Sequence, residues 1–89
     1  MEPLVARPQN LVETNVRALI DDHHDFAITV VEGQEHVIFE IRCRKEDVGL
    51  IIGRQGKNIE AIRTLVKSAC RGVNLNTTVE VVNSKEARA

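Results

Sequence analysis

A small α+β domain, with elements in the order α-β-β-α-α-β, is the fold class this sequence predicts, and three observations predict it. Apolar residues recur at three- and four-residue spacing near residues 11–20 and 59–69, as on one face of a helix. The runs FAITVVEG, HVIFEIRCR and TTVEVVN are rich in β-branched and aromatic residues, as strands are. Between the second and third of these runs, VGLIIGRQGKNIEAIRTLV sets Gly53 and Gly56 three apart inside an otherwise helical pattern. With 89 residues the chain can enclose one modest core and not two. Its 43% apolar and 28% charged residues are ordinary for a globular protein and argue against a wholly disordered chain.

The first element is an amphipathic helix from Pro8 to about His23. Leu11, Val12, Val16, Leu19 and Ile20 share a face, Glu13 and Arg17 form a surface pair, Asn10 is placed as the cap, and DDHHD ends the helix. Two strands follow. Phe26, Ile28 and Val30 share one face, as do Val37, Phe39 and Ile41, and EGQE with Gly33 makes a tight antiparallel connection. KEDVGLII, acidic at its start, reads as a short helix over Glu46–Ile52. After the GRQG turn, Lys57 to about Arg71 forms a longer helix with Ile59, Ile62, Val66 and Ala69 facing the core and Gly72 terminating it. TTVEVVN is the third strand and SKEARA a frayed tail, so residues 9–83 form the domain between an N-terminal segment, 1–8, and a tail, 84–89.

Composition excludes several functions. Cys43 and Cys70 form no CxxC pair and suit neither zinc nor a disulfide scaffold; they read as small core residues or half-exposed thiols in a reducing compartment. MEPLVARPQN lacks the basic start and apolar core of a signal peptide, and no stretch approaches a membrane span, so a cytoplasmic protein is expected. Gly56-Lys57 is not a P-loop, because Ile51 stands where its first glycine belongs and Asn58 where Ser or Thr should follow. His23 and His24 lie beside Asp22 and Asp25, but adjacent side chains diverge, so a solvated helix end is expected, and His36 stands alone. Nothing in the chain frames a catalytic site, a metal or a cofactor, and no enzyme is expected.

Charge points elsewhere. Although the net charge is −1, residues 1–40 hold two cations against eight anions, whereas residues 42–71 hold eight cations against three anions. A local basic field therefore surrounds the glycine break, and local field draws an anion more than total charge does. In a Gly-x-x-Gly turn between two helices, the first glycine lets a phosphate chain approach the backbone and the second permits the sharp reversal. The N–H groups and dipole of the helix that begins after Gly56 favour an anion there, and Arg54 and Lys57 add mobile charge. Such contacts neutralise phosphates and carry little sequence information.

Ile51-Ile52-Gly53-Arg54-Gln55-Gly56, followed by Ile59 and Ile62, resembles the core signature of a KH domain. The element order resembles the prokaryotic type II arrangement, whose three strands form a mixed sheet with three helices on one face. The short chain and the run EDVGLIIGRQGKNIEAIRTLV are similar to the bacterial single-KH-domain RNA-binding proteins of the KhpA kind. The resemblance implies a groove for about four single-stranded nucleotides whose backbone the GxxG loop clamps. KH grooves hold bases on an aliphatic floor, so the presence of only two aromatic residues, Phe26 and Phe39, is no obstacle here. It would be one for an RRM or OB fold.

Carried over by position, Gly53, Arg54, Gln55 and Gly56 form the clamp, Gly49, Leu50 and Ile52 the helix beside the groove, and Lys57 and Asn58 the start of the next helix. Strand residues Ile38 to Arg42 are expected on the opposite wall, and Glu60 reads as a surface carboxylate favoured by the helix dipole. Ala61 and Leu65 flank the apolar stripe of the second helix and are either its buried edge or a dimer contact. The implied partners are single-stranded RNA, a second copy, and a longer KH-containing protein of the Jag type. The implied role is RNA chaperone or post-transcriptional regulator. The alternative is an interaction module that keeps the KH scaffold without tight RNA binding.

Overall fold

The computed structural model describes residues 6–20, 24–70 and 75–84. Helix α1 spans Ala6–Leu19, strands β1 and β2 span Phe26–Glu32 and His36–Cys43, and helix α2 spans Lys45–Ile52. A 3-10 turn over Arg54–Gly56 leads into helix α3, Lys57–Ala69, and strand β3, Asn76–Asn83, follows. The order α-β-β-α-α-β is the expected one. The sheet runs β1-β2-β3, with β1 antiparallel and β3 parallel to the central β2. It is therefore mixed, as the type II arrangement requires.

Alternation along β2 decides which face is covered. Val37, Phe39, Ile41 and Cys43 are buried, whereas Ile38, Glu40 and Arg42 point to the other face and are only half-buried. Against the buried row pack Val12, Val16 and Ile20 from the first helical segment, Ile51 from α2, Ile59, Ile62 and Val66 from α3, and Val79 from β3. All three helices thus cover one side of the sheet. Phe39 is fully buried, and truncating it to alanine would cost about 3–5 kcal/mol.

Several boundaries differ from expectation. α1 begins at Ala6, which places Pro8 in its first turn, where a missing N–H costs nothing, and Asn10 inside the helix rather than at its cap. Its helical residues end at Leu19, and Asp21, Asp22 and His23 lie outside the described residues. Cys70, not Ala69, completes the buried stripe of α3, because Ala69 is exposed; Gly72, the expected terminator, is also outside the described residues. The Glu13–Arg17 pair does form, at 3.1 Å.

His24 is not a solvated helix end. Its Nδ1 lies 3.0 and 3.1 Å from the carboxylate oxygens of Asp47, which is only 1% exposed, and Arg44 donates to the same carboxylate from Nε at 3.3 Å. These contacts tie the chain before β1 to the first turn of α2. His36 also has a partner, the Thr78 hydroxyl, 2.8 Å from its Nε2.

Candidate nucleic-acid interface

α2 ends where the backbone leaves helical space. Gly53 has φ 79° and ψ 172°, a region that only glycine occupies without strain, and Gln55 and Gly56 follow in left-handed conformations with φ 58° and 75°. The turn is closed by bonds from Gly53 N–H to Gly49 C=O at 2.8 Å and from Gly56 N–H to Gly53 C=O at 3.0 Å. α3 starts at once, and no side chain caps its N-terminus. The positive end of its dipole therefore faces the turn with its leading N–H groups uncapped, while the first-turn carboxylate of Glu60 is engaged by Arg63.

Arg54, Gln55 and Lys57 are exposed around this end, and Leu50, 52% exposed, stands beside them on the last turn of α2. Ile52, Gly53, Gly56 and Asn58 are half-buried. Apart from Ile51, which is buried in the core, the residues from Gly49 to Asn58 thus form one rim in which exposed cations stand beside the exposed Leu50. Asn58 differs from the rest, because its side chain is turned inward: Nδ2 donates to the Leu50 carbonyl at 2.9 Å. At Gly49, by contrast, an added Cβ would meet nothing within 4 Å.

Next to the rim lies an open concavity of about 420 Å³ lined by Ile52, Ile59, Arg63, Glu80, Val81 and Val82. Its floor is mostly aliphatic. The strand that forms its far wall is β3, an edge strand, and not the expected stretch Ile38–Arg42, which lies in the central strand. α2 and α3 rest against β3, so the middle of the sheet is out of reach from this side. The side chains of Glu40 and Arg42 pair with each other on the uncovered face, at 2.7 Å, and Arg42 Nε also donates to Thr29.

Arg63 was not among the expected site residues, yet it shapes this groove. From Nε and Nη2 it donates to the Val79 carbonyl at 3.2 and 3.1 Å, and from Nη1 to the Glu60 carboxylate. It straps α3 to the edge strand, and Glu60 is its ion-pair partner on the helix surface. No sequence signal marks a contact between residues sixteen apart on different elements. Ala61 and Leu65 are exposed on the outward side of α3, Leu65 by 42%, so the structure places both outside the core.

This architecture defines a type II KH domain: a mixed three-stranded sheet backed by three helices, with a GxxG turn joining two of them. The KhpA/KhpB KH-domain family matches residues 9–81, and the chain belongs to that family. It is 38% identical to the RNA-binding protein KhpA of Clostridium perfringens, over 83% of this chain and 99% of that one. Against the RNA-binding protein KhpA of Borreliella burgdorferi the identity is 36%, over 82% and 89% of the two chains. Against that of Chlamydia pneumoniae it is 34%, over 79% and 90%. Among solved structures, Aquifex aeolicus Era bound to GDP·AlF4− superposes with a TM-score of 0.64 at 18% identity, covering 99% of this chain and 35% of Era. Era in complex with MgGDPNP and nucleotides 1506–1542 of 16S ribosomal RNA gives 0.61 at 21%, covering 98% and 34%. The fold is thus shared with about a third of a longer protein. The family is not an enzyme family, and among the described residues no helix is long and apolar enough to cross a membrane.

Proposed function

We propose that this protein binds single-stranded RNA, clamping about four nucleotides through the GRQG turn. The observation that carries the reading is the uncapped N-terminus of α3, which opens directly from that turn between the exposed cations Arg54 and Lys57. A phosphate chain lying there would meet backbone N–H groups and mobile charge together. The aliphatic groove beside it, between Ile52, Ile59 and Val81, suits bases held without ring stacking. The KhpA relatives are named RNA-binding proteins, which supports the same class of ligand. Gly49 supports it from a different direction, because no packing inside the protein requires a glycine there, whereas a ligand backbone crossing α2 would.

The role that follows is an RNA chaperone or post-transcriptional regulator in the cytoplasm. One groove reading four nucleotides binds weakly, and two grooves in one particle would gain affinity through effective concentration. Ala61 and Leu65, exposed on one side of α3, supply the surface for a homodimer or for a longer KH protein of the KhpB or Jag type. The same surface favours the second reading, a docking module that keeps the scaffold without tight RNA binding.

An NMR titration with a single-stranded octaribonucleotide separates the two. Shifts confined to residues 49–59 and to Glu80, Val81 and Val82 are expected. Shifts clustered on Ala61 and Leu65, with none around the glycine turn, would favour the docking module.

A further inference from the structure

Asn58 sits in the first turn of α3, where a polar side chain commonly reaches toward a ligand. Its amide is instead directed back onto the preceding helix, to the Leu50 carbonyl. Leu50 belongs to the last turn of α2, whose carbonyls find no partner further along their own helix. One side chain therefore joins the end of α2 to the beginning of α3 across the glycine turn. The same side chain fills the space beneath that turn. A Cβ built on Gly53 would lie 2.6 Å from Cγ and 2.7 Å from Nδ2 of Asn58, closer than non-bonded atoms approach. A hydrogen bond and a packing contact, independent of each other, tie residue 58 to the backbone that leads into GRQG.

We propose that Asn58 is a positioning residue for the clamp, holding α2 and α3 at the angle that keeps Gly53–Gly56 open toward solvent, and that its amide nitrogen serves Leu50 rather than a nucleotide. The inference rests on the clamp reading and replaces the expectation that Asn58 itself contacts RNA. Gln55 has φ 58°, which a side-chain-bearing residue keeps only where its surroundings over-determine it. The Asn58 staple spans both ends of the turn, from the start of α3 back to the end of α2. Without it the loop would have to be ordered at the moment of binding, and that cost appears as lost affinity. Gly53 and Asn58 are then a coupled pair, each fitted to the other.

The test uses two variants: Asn58→Leu, which keeps bulk and removes the donor, and Asn58→Ala, which adds no bulk and serves if the leucine disturbs folding. Amide hydrogen exchange and 15N relaxation dispersion at Arg54, Gln55 and Gly56 are measured in RNA-free protein, and affinity for a uridine octanucleotide is measured across a salt series. Millisecond exchange should appear at the turn in both variants, with affinity lowered about tenfold at every salt concentration and an unchanged salt slope. Introducing Gly53→Ala should also disturb the Asn58→Ala background less than the wild type. A free loop indistinguishable from wild type would overturn the proposal even if affinity fell, because that combination marks a direct RNA contact. A wild type that binds no RNA would remove the clamp reading, and the loop measurements would still decide whether Asn58 holds the turn.

Discussion

At Gly49 an added Cβ would meet nothing, yet glycine within a helix is less stable than alanine by about 1 kcal/mol. Gly49→Ala should therefore raise stability by about 0.5–1 kcal/mol, several degrees in Tm for a domain of this size, while weakening RNA binding. A thermal melt and an affinity measurement on one preparation check both, and a stabilised variant with unchanged affinity would place the ligand away from α2. Gly53 is glycine for internal reasons, its backbone angles and the Asn58 side chain, so Gly53→Ala should cost about 2–3 kcal/mol, read by chemical denaturation. Sequence reading found both positions because they sit in one unbroken stretch. It assigned Gly53 to ligand approach, since the inward turn of Asn58 depends on the fold. The thiols make a further prediction. Burial pushes the Cys43 thiol up, with the Asp47 charge adding to it, and burial does the same at Cys70. The unfolded chain thus releases these protons first, so their contribution to stability is intact below the ordinary thiol value of 9.0 and declines as pH rises above it. Labelling by a thiol reagent at pH 8 should proceed only at the rate of opening, and fast labelling of native protein would contradict the buried placement.

α2 is eight residues long and would not persist alone, so both its ends are fastened from outside. At its start, His24 and Arg44 converge on the buried Asp47 carboxylate; at its end, Asn58 holds Leu50. His24→Ala leaves the buried carboxylate with one hydrogen-bond partner fewer and should cost about 1–2 kcal/mol, measured by urea unfolding near neutral pH. A variant as stable as wild type would mean that Arg44 alone suffices. Elements like these were legible in sequence to the extent that they depend on local pattern. The alternation of Val37, Phe39 and Ile41 gave the buried face of β2, and the spacing of Ile59, Ile62 and Val66 gave that of α3. The start of α1 was misread because Asn10 and Pro8 both carry boundary signals, while a proline in a first turn is equally at home. The His24–Asp47 contact spans 23 residues and Arg63–Val79 spans 16, and no local rule reaches that far. The far wall of the groove was missed for the same reason, since only the parallel pairing of β2 with β3 puts β3 on that edge.

Across the whole molecule, the lopsided charge acquires a direction. The sheet order places β1, with Glu32, at the edge opposite β3, while the helices that carry GRQG rest on β3. A chain of net charge −1 can in this way still present a basic face to RNA. Leu65 tests assembly at the same scale: Leu65→Arg should convert a dimer to a monomer in light scattering at micromolar concentration and weaken binding to long RNA more than to an octanucleotide. A monomeric wild type, or a variant that stays dimeric, would remove α3 as the interface. The most direct measurement is fluorescence anisotropy of single-stranded RNA over a salt series, for the wild type and for a variant combining Arg54→Asp with Gln55→Asp whose fold is verified by circular dichroism. If GRQG holds phosphates, wild-type affinity falls steeply with salt, each phosphate contact contributing about −0.7 to the logarithmic slope, and the folded variant loses binding. Equal binding by both proteins, with equal slopes, would contradict a phosphate clamp at this turn.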